Sequence, residues 1–571
     1  MSALSVWAPR AQRVEVQVGS FCRDLDRSAD GWWALPEPQL TAGTDYRFIV
    51  DGGEPMPDPR SSHQPAGVHG PSRVVDHSAF AWSDGGFRAL PLESAVVYEL
   101  HVGTFSPEGT FDGIIPHLMY LRELGITHVE LMPVNQFPGA HGWGYDGVGW
   151  YAVHDAYGGP EGLKRLVDAC HGHGLAVLLD VVYNHLGPDG NYLGEFGPYF
   201  TDAYGTFWGP ALNLDQAHAD EVRRFICDNA LSWLRDYHID GLRIDAVHAF
   251  FDRSAIHILE QLSREVAELQ SELMRPLVLI AESDLNDPRV VRSREAGGLG
   301  MHAQWSDDLH HALHAVLTGE HDGYYSDFGT LGHVAKAIEN AYVYDGQYSP
   351  ARKRRHGRPP EGVPRSRFLG YLQTHDQVGN RARGDRIGRL TSAERVRIGA
   401  ALVLTSPSVP MLFQGEEWNA STPFCYFTDH TKPGLAEIVR SGRRAEFVAF
   451  GWDPEQIPDP NDPTTFERSK LVWRERDAGA HGSMLAFYKD LLRLRREYPE
   501  LRAPVSHVRF DENEGWLVVE RPTTAVAINL GNETRALEVD AKMVRLASPS
   551  NVHLSAGRVV LPPNSVAILL F

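Results

Sequence analysis

Between residues 96 and 415, eight short apolar runs alternate with amphipathic segments, and no other feature restricts the fold as much. The runs are VVYELHV (96–102), ITHVELM (126–132), LAVLLDVV (175–182), IDGLRID (239–245), LVLIAES (277–283), HAQWS (302–306), FLGYLQT (368–374) and VPMLFQG (409–415). Short continuous apolar runs fit strands buried on both faces, as in parallel sheets. The intervening IIPHLMYLRELG, GLKRLVDACHGHG and EVRRFICDNALSWLRDY repeat their apolar residues at helical period. Eight such alternations predict the α/β class and a closed (β/α)8 TIM barrel. A doubly wound open sheet is the alternative, but no GxGxxG fingerprint follows the first run.

A chain of 571 residues exceeds what one hydrophobic core usually holds, so attachments to the barrel are expected. Residues 1–90 carry strand-like runs (SVWAPRAQRVEVQV, YRFIVD) between Gly/Pro turns. They predict an N-terminal β-sandwich, immunoglobulin-like and similar to a carbohydrate-binding module. Its role is open between sugar binding, with Trp32 and Trp33 as candidate exposed aromatics, and a structural cap over the cleft. Within it, PMPDPRSSHQPAGVHGPSR reads as a loop. The barrel is assigned to 91–502, with a short insertion at 186–216, and GWLVVE, TAVAINL and SVAILLF predict a C-terminal β-sandwich over 503–571.

Lys and Arg number 54 against 74 Asp and Glu, a net charge of −20, which argues against nucleic acid and anionic membranes as partners. The one basic run, ARKRRHGRPPEGVPR at 351–365, reads as a solvated mobile loop. No run of 18 apolar residues occurs, and MSALSVWAPR lacks the pattern of a leader, so a cytoplasmic protein is expected. Cys22, Cys170, Cys227 and Cys425 lack metal-ligand spacing and read as reduced, buried thiols. No cofactor and no metal are expected, and the chain reads as a monomer or weak homo-oligomer. Thirteen Trp and 27 His suit a sugar ligand, which prefers flat faces and neutral hydrogen-bonding rings.

A barrel builds its active site at the C-terminal ends of its strands. Strand three ends in Asp180, Asn184 and His185, strand four in Arg243 and Asp245, strand five in Glu282, and strand seven in His375 and Asp376. Charges in apolar runs are costly unless paired or useful. Asp180 is expected to pair with Arg243 and orient it. Three acids, Asp245, Glu282 and Asp376, converge on one mouth, and paired carboxylates are the equipment of glycoside cleavage. Arg243 would keep Asp245 ionised, whereas the apolar setting of Glu282 would keep that carboxyl protonated.

DVVYNH, GLRIDAVHAF, LIAESD and THDQVGN resemble, in order and spacing, the four strand-end motifs of the α-amylase clan, glycoside hydrolase family thirteen. The resemblance spans nearly the whole chain. It implies Asp245 as nucleophile, Glu282 as acid/base and Asp376 as the carboxylate that binds and distorts the sugar. Arg243, His185 and His375 would support substrate and nucleophile, and Tyr145 of GWGYD would stack on sugar. Gln377 and Asn380 of the fourth motif join the candidate binding set, as does His248. His248 and Ala249 stand where common α-amylases carry Lys-His. The segment 186–216 is short for the calcium-bearing domain of those amylases, so no structural calcium is expected and Asn184 should hydrogen-bond within the barrel.

Within the clan, YELHVGTF, ELMPVNQFPGAHGWGYDGVGWYAVHDAYGG, QWSDDLHHALHAVLTGE and THDQVGNRARG resemble the maltooligosyltrehalose trehalohydrolases. Glycogen branching enzymes share the first two patterns and are the alternative; debranching and a non-catalytic sugar-binding barrel are further readings, the last opposed by the three acids. The resemblance implies retaining cleavage of the α-1,4 bond beside a terminal trehalose unit, with maltooligosyltrehalose and maltooligosaccharides as ligands. Trp305, Asp307, Asp308, His310 and His311 leave strand six beside Glu282 and are assigned to the leaving-group side of the cleft.

Overall fold

Each of the eight apolar runs forms one parallel strand in the computed structural model, which describes residues 4–206, 209–448 and 457–571. They are β1 (Val97–Leu100), β2 (His128–Leu131), β3 (Ala176–Val181), β4 (Gly241–Ile244), β5 (Val278–Ala281), β6 (Ala303–Trp305), β7 (Phe368–Tyr371) and β8 (Val409–Phe413). Neighbours in sequence are neighbours in space, and β8 pairs with β1 to close the barrel. All but the first residue of β5 are buried along these strands, which is why the runs are continuous rather than alternating.

Four charged residues interrupt that apolar interior in two cross-strand pairs: Glu99 opposite Glu130, and Asp180 opposite Arg243. The helices around the barrel bury one face each. α1 (Gly159–Gly172) and α2 (Ala219–Asp236) follow β2 and β3; α2 presents Val222, Phe225, Ile226, Ala230, Trp233 and Leu234 to the core. α3 (Ile258–Leu273) follows β4, and α4 (Asp307–Thr318) starts two residues past the end of β6.

Sheets of three and four strands precede the barrel, and sheets of five and three strands follow it. The two tryptophans raised as sugar platforms serve elsewhere. Trp33 is buried in the core, and the Trp32 indole N–H donates to Glu221 of α2 at 3.2 Å, beneath the Arg60 guanidinium at 5.2 Å. The Pro/Gly/Ser-rich loop is pinned to the barrel, for instance by His63 against Asp155 at 2.8 Å. In the insertion, Phe200–Thr206 pairs with Gly209–Leu212; residues 207–208 lie outside the described residues.

Two expectations need correction. The basic run is not a free loop: Tyr348–Ser349 pairs with Arg354–Arg355, His356 is buried, and Arg352 meets Asp284 at 3.0 Å, because a half-buried carboxylate gains from a cation that offsets its desolvation. Cys22 is exposed on a strand while the other three thiols are buried; all four are free. Among the described residues no helix is long and apolar enough to cross a membrane, and no group of three or more His, Cys, Asp or Glu is arranged to hold a metal ion.

Candidate active site

Arg243 organises the barrel mouth. Its side chain is fully buried, and Nη1 donates to both Asp180 oxygens at 2.9 and 2.8 Å and to Asp245 Oδ1 at 2.7 Å. Nη2 lies 3.3 Å from Glu282 Oε2, and the Trp305 ring supports the guanidinium at 4.3 Å. One cation thus meets three carboxyl groups and offsets part of the desolvation that each suffers.

The chain turns sharply after β4. Ala246 adopts φ +41°, a left-handed conformation that a residue with a Cβ reaches only under constraint, and its N–H donates to Glu282 Oε2 at 2.7 Å. Asn184 Nδ2 donates to Asp245 Oδ2 at 2.7 Å and to its carbonyl at 3.1 Å, and His185 holds Asn184 Oδ1 at 2.5 Å and the Tyr145 carbonyl at 2.9 Å. The motif DVVYNH therefore folds back on the β4 carboxylate, with Asn184 bonded inside the barrel.

Tyr145 and His375 form a second chain of contacts. The Tyr145 hydroxyl donates to Asp180 Oδ2 at 2.5 Å and meets His375 Nε2 at 2.7 Å. Since that hydroxyl has one proton, Nε2 must donate to it. Nδ1 of the same ring meets Glu99, which also accepts the His375 backbone N–H at 2.9 Å. An imidazole donating from both nitrogens is a cation: burial works against the charge, but Glu99 and Asp376 outweigh it and push His375 up to about 9. Asp376 is half-exposed at the mouth, with Asn380 Nδ2 at 3.2 Å and His375 Nε2 at 3.4 Å. Gln377 is half-buried and accepts from the Thr374 hydroxyl, while Asn380 Oδ1 accepts from Arg443 at 3.1 Å.

The two carboxyls that share Arg243 are driven apart in acidity. Burial pushes Asp245 up, yet the Arg243 charge, with help from His185 and Asn184, leaves it below the ordinary carboxylate value. Burial pushes Glu282 well above its ordinary value; Arg243 opposes this, and the negative fields of Asp245, Asp376 and Asp307 reinforce it. One carboxylate and one carboxylic acid side by side can supply a nucleophile and a proton donor.

The strand-six segment divides. Trp305, Asp308 and His310 are 2, 7 and 1% exposed and are corrected from ligand contacts to supports. Trp305 lies under Arg243, and His310 packs against Tyr371 at 5.8 Å. Asp308 accepts from Asn286 Nδ2 at 2.9 Å and from the Val343 and Tyr344 N–H groups at 2.7 and 3.0 Å, tying that loop to α4. Within α4 each residue turns about 100°, so Asp307 and His311 share one face while Asp308 is turned about a quarter turn away from Asp307. Asp307 is half-exposed, accepts from the Tyr371 hydroxyl at 2.5 Å, and is pushed up to about 7 by burial and then by Asp376, Asp284 and Asp308. His311 is half-buried against Tyr324 at 4.9 Å, and His248 is exposed, its positive field acting on Asp284.

Sequence reasoning missed Glu99, which holds His375, and Glu130, whose buried oxygens have no hydrogen-bond partner and whose carboxyl is driven well up by burial. The signal was present: both are single acids inside apolar runs, as Arg243 is a single cation in one. Tyr371 and Asp284 carried no comparable mark.

The alpha-amylase family model, described as the alpha amylase catalytic domain, matches residues 77–208. A malto-oligosyltrehalose trehalohydrolase of Arthrobacter ramosus is 53% identical over 530 residues, covering 92% of each chain. The chain belongs to the malto-oligosyltrehalose trehalohydrolase family. Outside that trehalohydrolase family similarity falls: a 1,4-alpha-glucan branching enzyme of Corynebacterium jeikeium is 30% identical over 464 residues, 73% of this chain and 60% of that one. The crystal structure of a Salmonella typhimurium protein provisionally named an alpha amylase superposes with a TM-score of 0.92 at 39% identity, covering 100% of this chain and 97% of that one. The trehalohydrolase family and this likeness together account for the closed barrel with strand-rich sheets at both ends.

Proposed function

We propose that the chain is a retaining glycoside hydrolase that cuts the α-1,4 bond next to the terminal trehalose of maltooligosyltrehalose, releasing trehalose in its biosynthesis. The observation that carries this reading is the single guanidinium that Asp245 meets at 2.7 Å and Glu282 at 3.3 Å, an arrangement in which the first carboxyl is held below its ordinary value and burial holds the second well above. In the first step the Asp245 carboxylate attacks the anomeric carbon of the glucosyl unit before the trehalose. The bond to the bridging oxygen breaks, and that oxygen takes the proton of Glu282 and leaves as a trehalose hydroxyl. In the second step the Glu282 carboxylate takes a proton from water, whose oxygen displaces Asp245 and restores both groups.

Asp376 binds the distorting sugar at the mouth, with His375 behind it as a fixed positive charge. Tyr145 supplies the sugar-facing ring, His185 and Arg243 hold Asp245, and His248, His311, Gln377 and Asn380 line the binding cleft. The reading divides the chain at 1–90, 91–502 and 503–571 and places its action in the cytoplasm.

Product analysis tests it. Purified protein given maltooligosyltrehalose should release free trehalose faster than it attacks maltoheptaose, and early NMR spectra should show the newly freed glucan end as the α anomer. Branched or lengthened amylose would instead favour the branching reading, and an initial β anomer would exclude retention.

A further inference from the structure

The seam between the N-terminal sheets and the barrel holds a groove of about 700 Å³ that the catalytic mouth does not use. Its barrel wall is formed by Ser232 and residues 235–238, the end of α2 and the approach to β4. That is the N-terminal end of the strand whose C-terminal end carries Asp245, so the groove and the mouth lie at opposite ends of the barrel. The volume is ample for several sugar rings.

The walls indicate what the groove would take. Arg60, Arg73 and Arg235 alternate with Asp58, Asp76 and Asp236, so the lining has no dominant sign and favours a neutral, hydrogen-bonding ligand over a phosphate or a polyanion. Phe80 and Trp82, both half-buried, meet edge to face at 4.8 Å. Trp82 does not hang loose: it stacks on His238 at 3.8 Å, and His238 is bonded at 2.8 Å to Asp84. Asp84 also binds His171 at 2.8 Å, whose other nitrogen meets Asp240 at 2.9 Å. The aromatic pair is thus anchored to the barrel floor by a chain of side-chain hydrogen bonds, and a preorganised platform spares a ligand the cost of ordering it.

We propose that this groove is a second, non-catalytic binding site for a neutral α-glucan chain, with Phe80 and Trp82 as its aromatic platform. The choice of glucan rests on the functional reading above. A site at the far end of the barrel would hold the polymer while its end is processed at the mouth, raising the local concentration of chain ends.

The test uses the full chain carrying Asp245→Asn, so that the probe is not consumed. Calorimetric titration with maltoheptaose should give two sites per chain. Phe80→Ala should abolish one of them and weaken retardation by glycogen in affinity electrophoresis by about threefold to tenfold, the worth of one aromatic contact. Arg235→Ala, at an exposed position, should weaken the same site without any fall in the melting temperature, which guards against a misfolded Phe80 variant. Maltoheptaose binding and glycogen retardation that are unchanged in both groove variants overturn the proposal. Absence of trehalose release by the parent enzyme would sink the functional reading alone, since the glycogen and maltoheptaose measurements do not depend on it.

Discussion

Two neighbouring parts of the barrel rim carry polar residues, and the structure uses them differently. At β4 and β5, Asp245 and Glu282 each follow the last strand residue directly, and both reach the Arg243 guanidinium. From the last residue of β6 into α4, five candidates in seven positions divide, with Asp307 and His311 toward the mouth and Trp305, Asp308 and His310 into the support beneath it. A strand end aims its side chain by the barrel's own geometry, whereas a helix start rotates each successive side chain away from the last. Within a helix start, proximity in sequence to a catalytic strand is therefore weak evidence of ligand contact.

The largest expected effect breaks or upholds the first half of this contrast. Asp245→Asn should fold as the parent and lose on the order of 10⁴-fold in kcat, because no covalent step proceeds without the carboxylate. Glu282→Gln should lose comparably on natural substrate but recover on glucosyl fluorides, whose leaving group needs no proton. Residual activity of Asp245→Asn close to that of the parent would remove the assignment.

The second half is probed by Asp308→Ala. The Val343 and Tyr344 N–H groups would be left without an acceptor in a buried site, and Asn286 Nδ2 would keep only its bond to the Tyr344 carbonyl at 2.9 Å. A cost of about 2 to 4 kcal/mol in denaturant unfolding is expected. If the variant unfolds like the parent but loses its preference for trehalose-ended substrate, Asp308 is a ligand contact after all.

Asp307 sharpens the comparison through pH. Its negative field helps hold Glu282 protonated, and it is itself charged only above about 7. Asp307→Asn removes that field, so the pKa of Glu282 falls, while burial still holds it above the ordinary value. Since Glu282 must donate a proton, the alkaline limb of kcat/KM should move to lower pH. The acid limb, set by Asp245 with its lowered value, should stay in place. An alkaline limb that does not move would separate Asp307 from the acid.

The smallest effect is expected at His311, half-buried against Tyr324. His311→Ala should narrow the rate preference for trehalose-ended over plain maltooligosaccharide by no more than about fivefold, the worth of one hydrogen bond of about 1 kcal/mol. Competition between the two substrates in one reaction reads this ratio directly.

The barrel and its mouth were legible in the sequence because both depend on local patterns. A strand buried on both faces requires a continuous apolar run, so the eight runs marked β1 to β8, and the charges at their ends stood out against them. Arg243, Asp245 and Glu282 could be named for the same reason: an ionic side chain inside or at the end of such a run persists only where partners offset its desolvation. What the sequence did not contain was orientation and long-range partnership. That Trp305 lies under Arg243 rather than under a sugar, that Asp308 holds residues 343 and 344, and that Trp32 seals a seam against Glu221 follow from contacts between segments far apart in the chain. Glu99, acting on His375 from 276 positions away, belongs to the same class. Local periodicity determines which residues face inward, but only closure of the barrel and docking of its flanking sheets decide what each inward or half-exposed side chain meets.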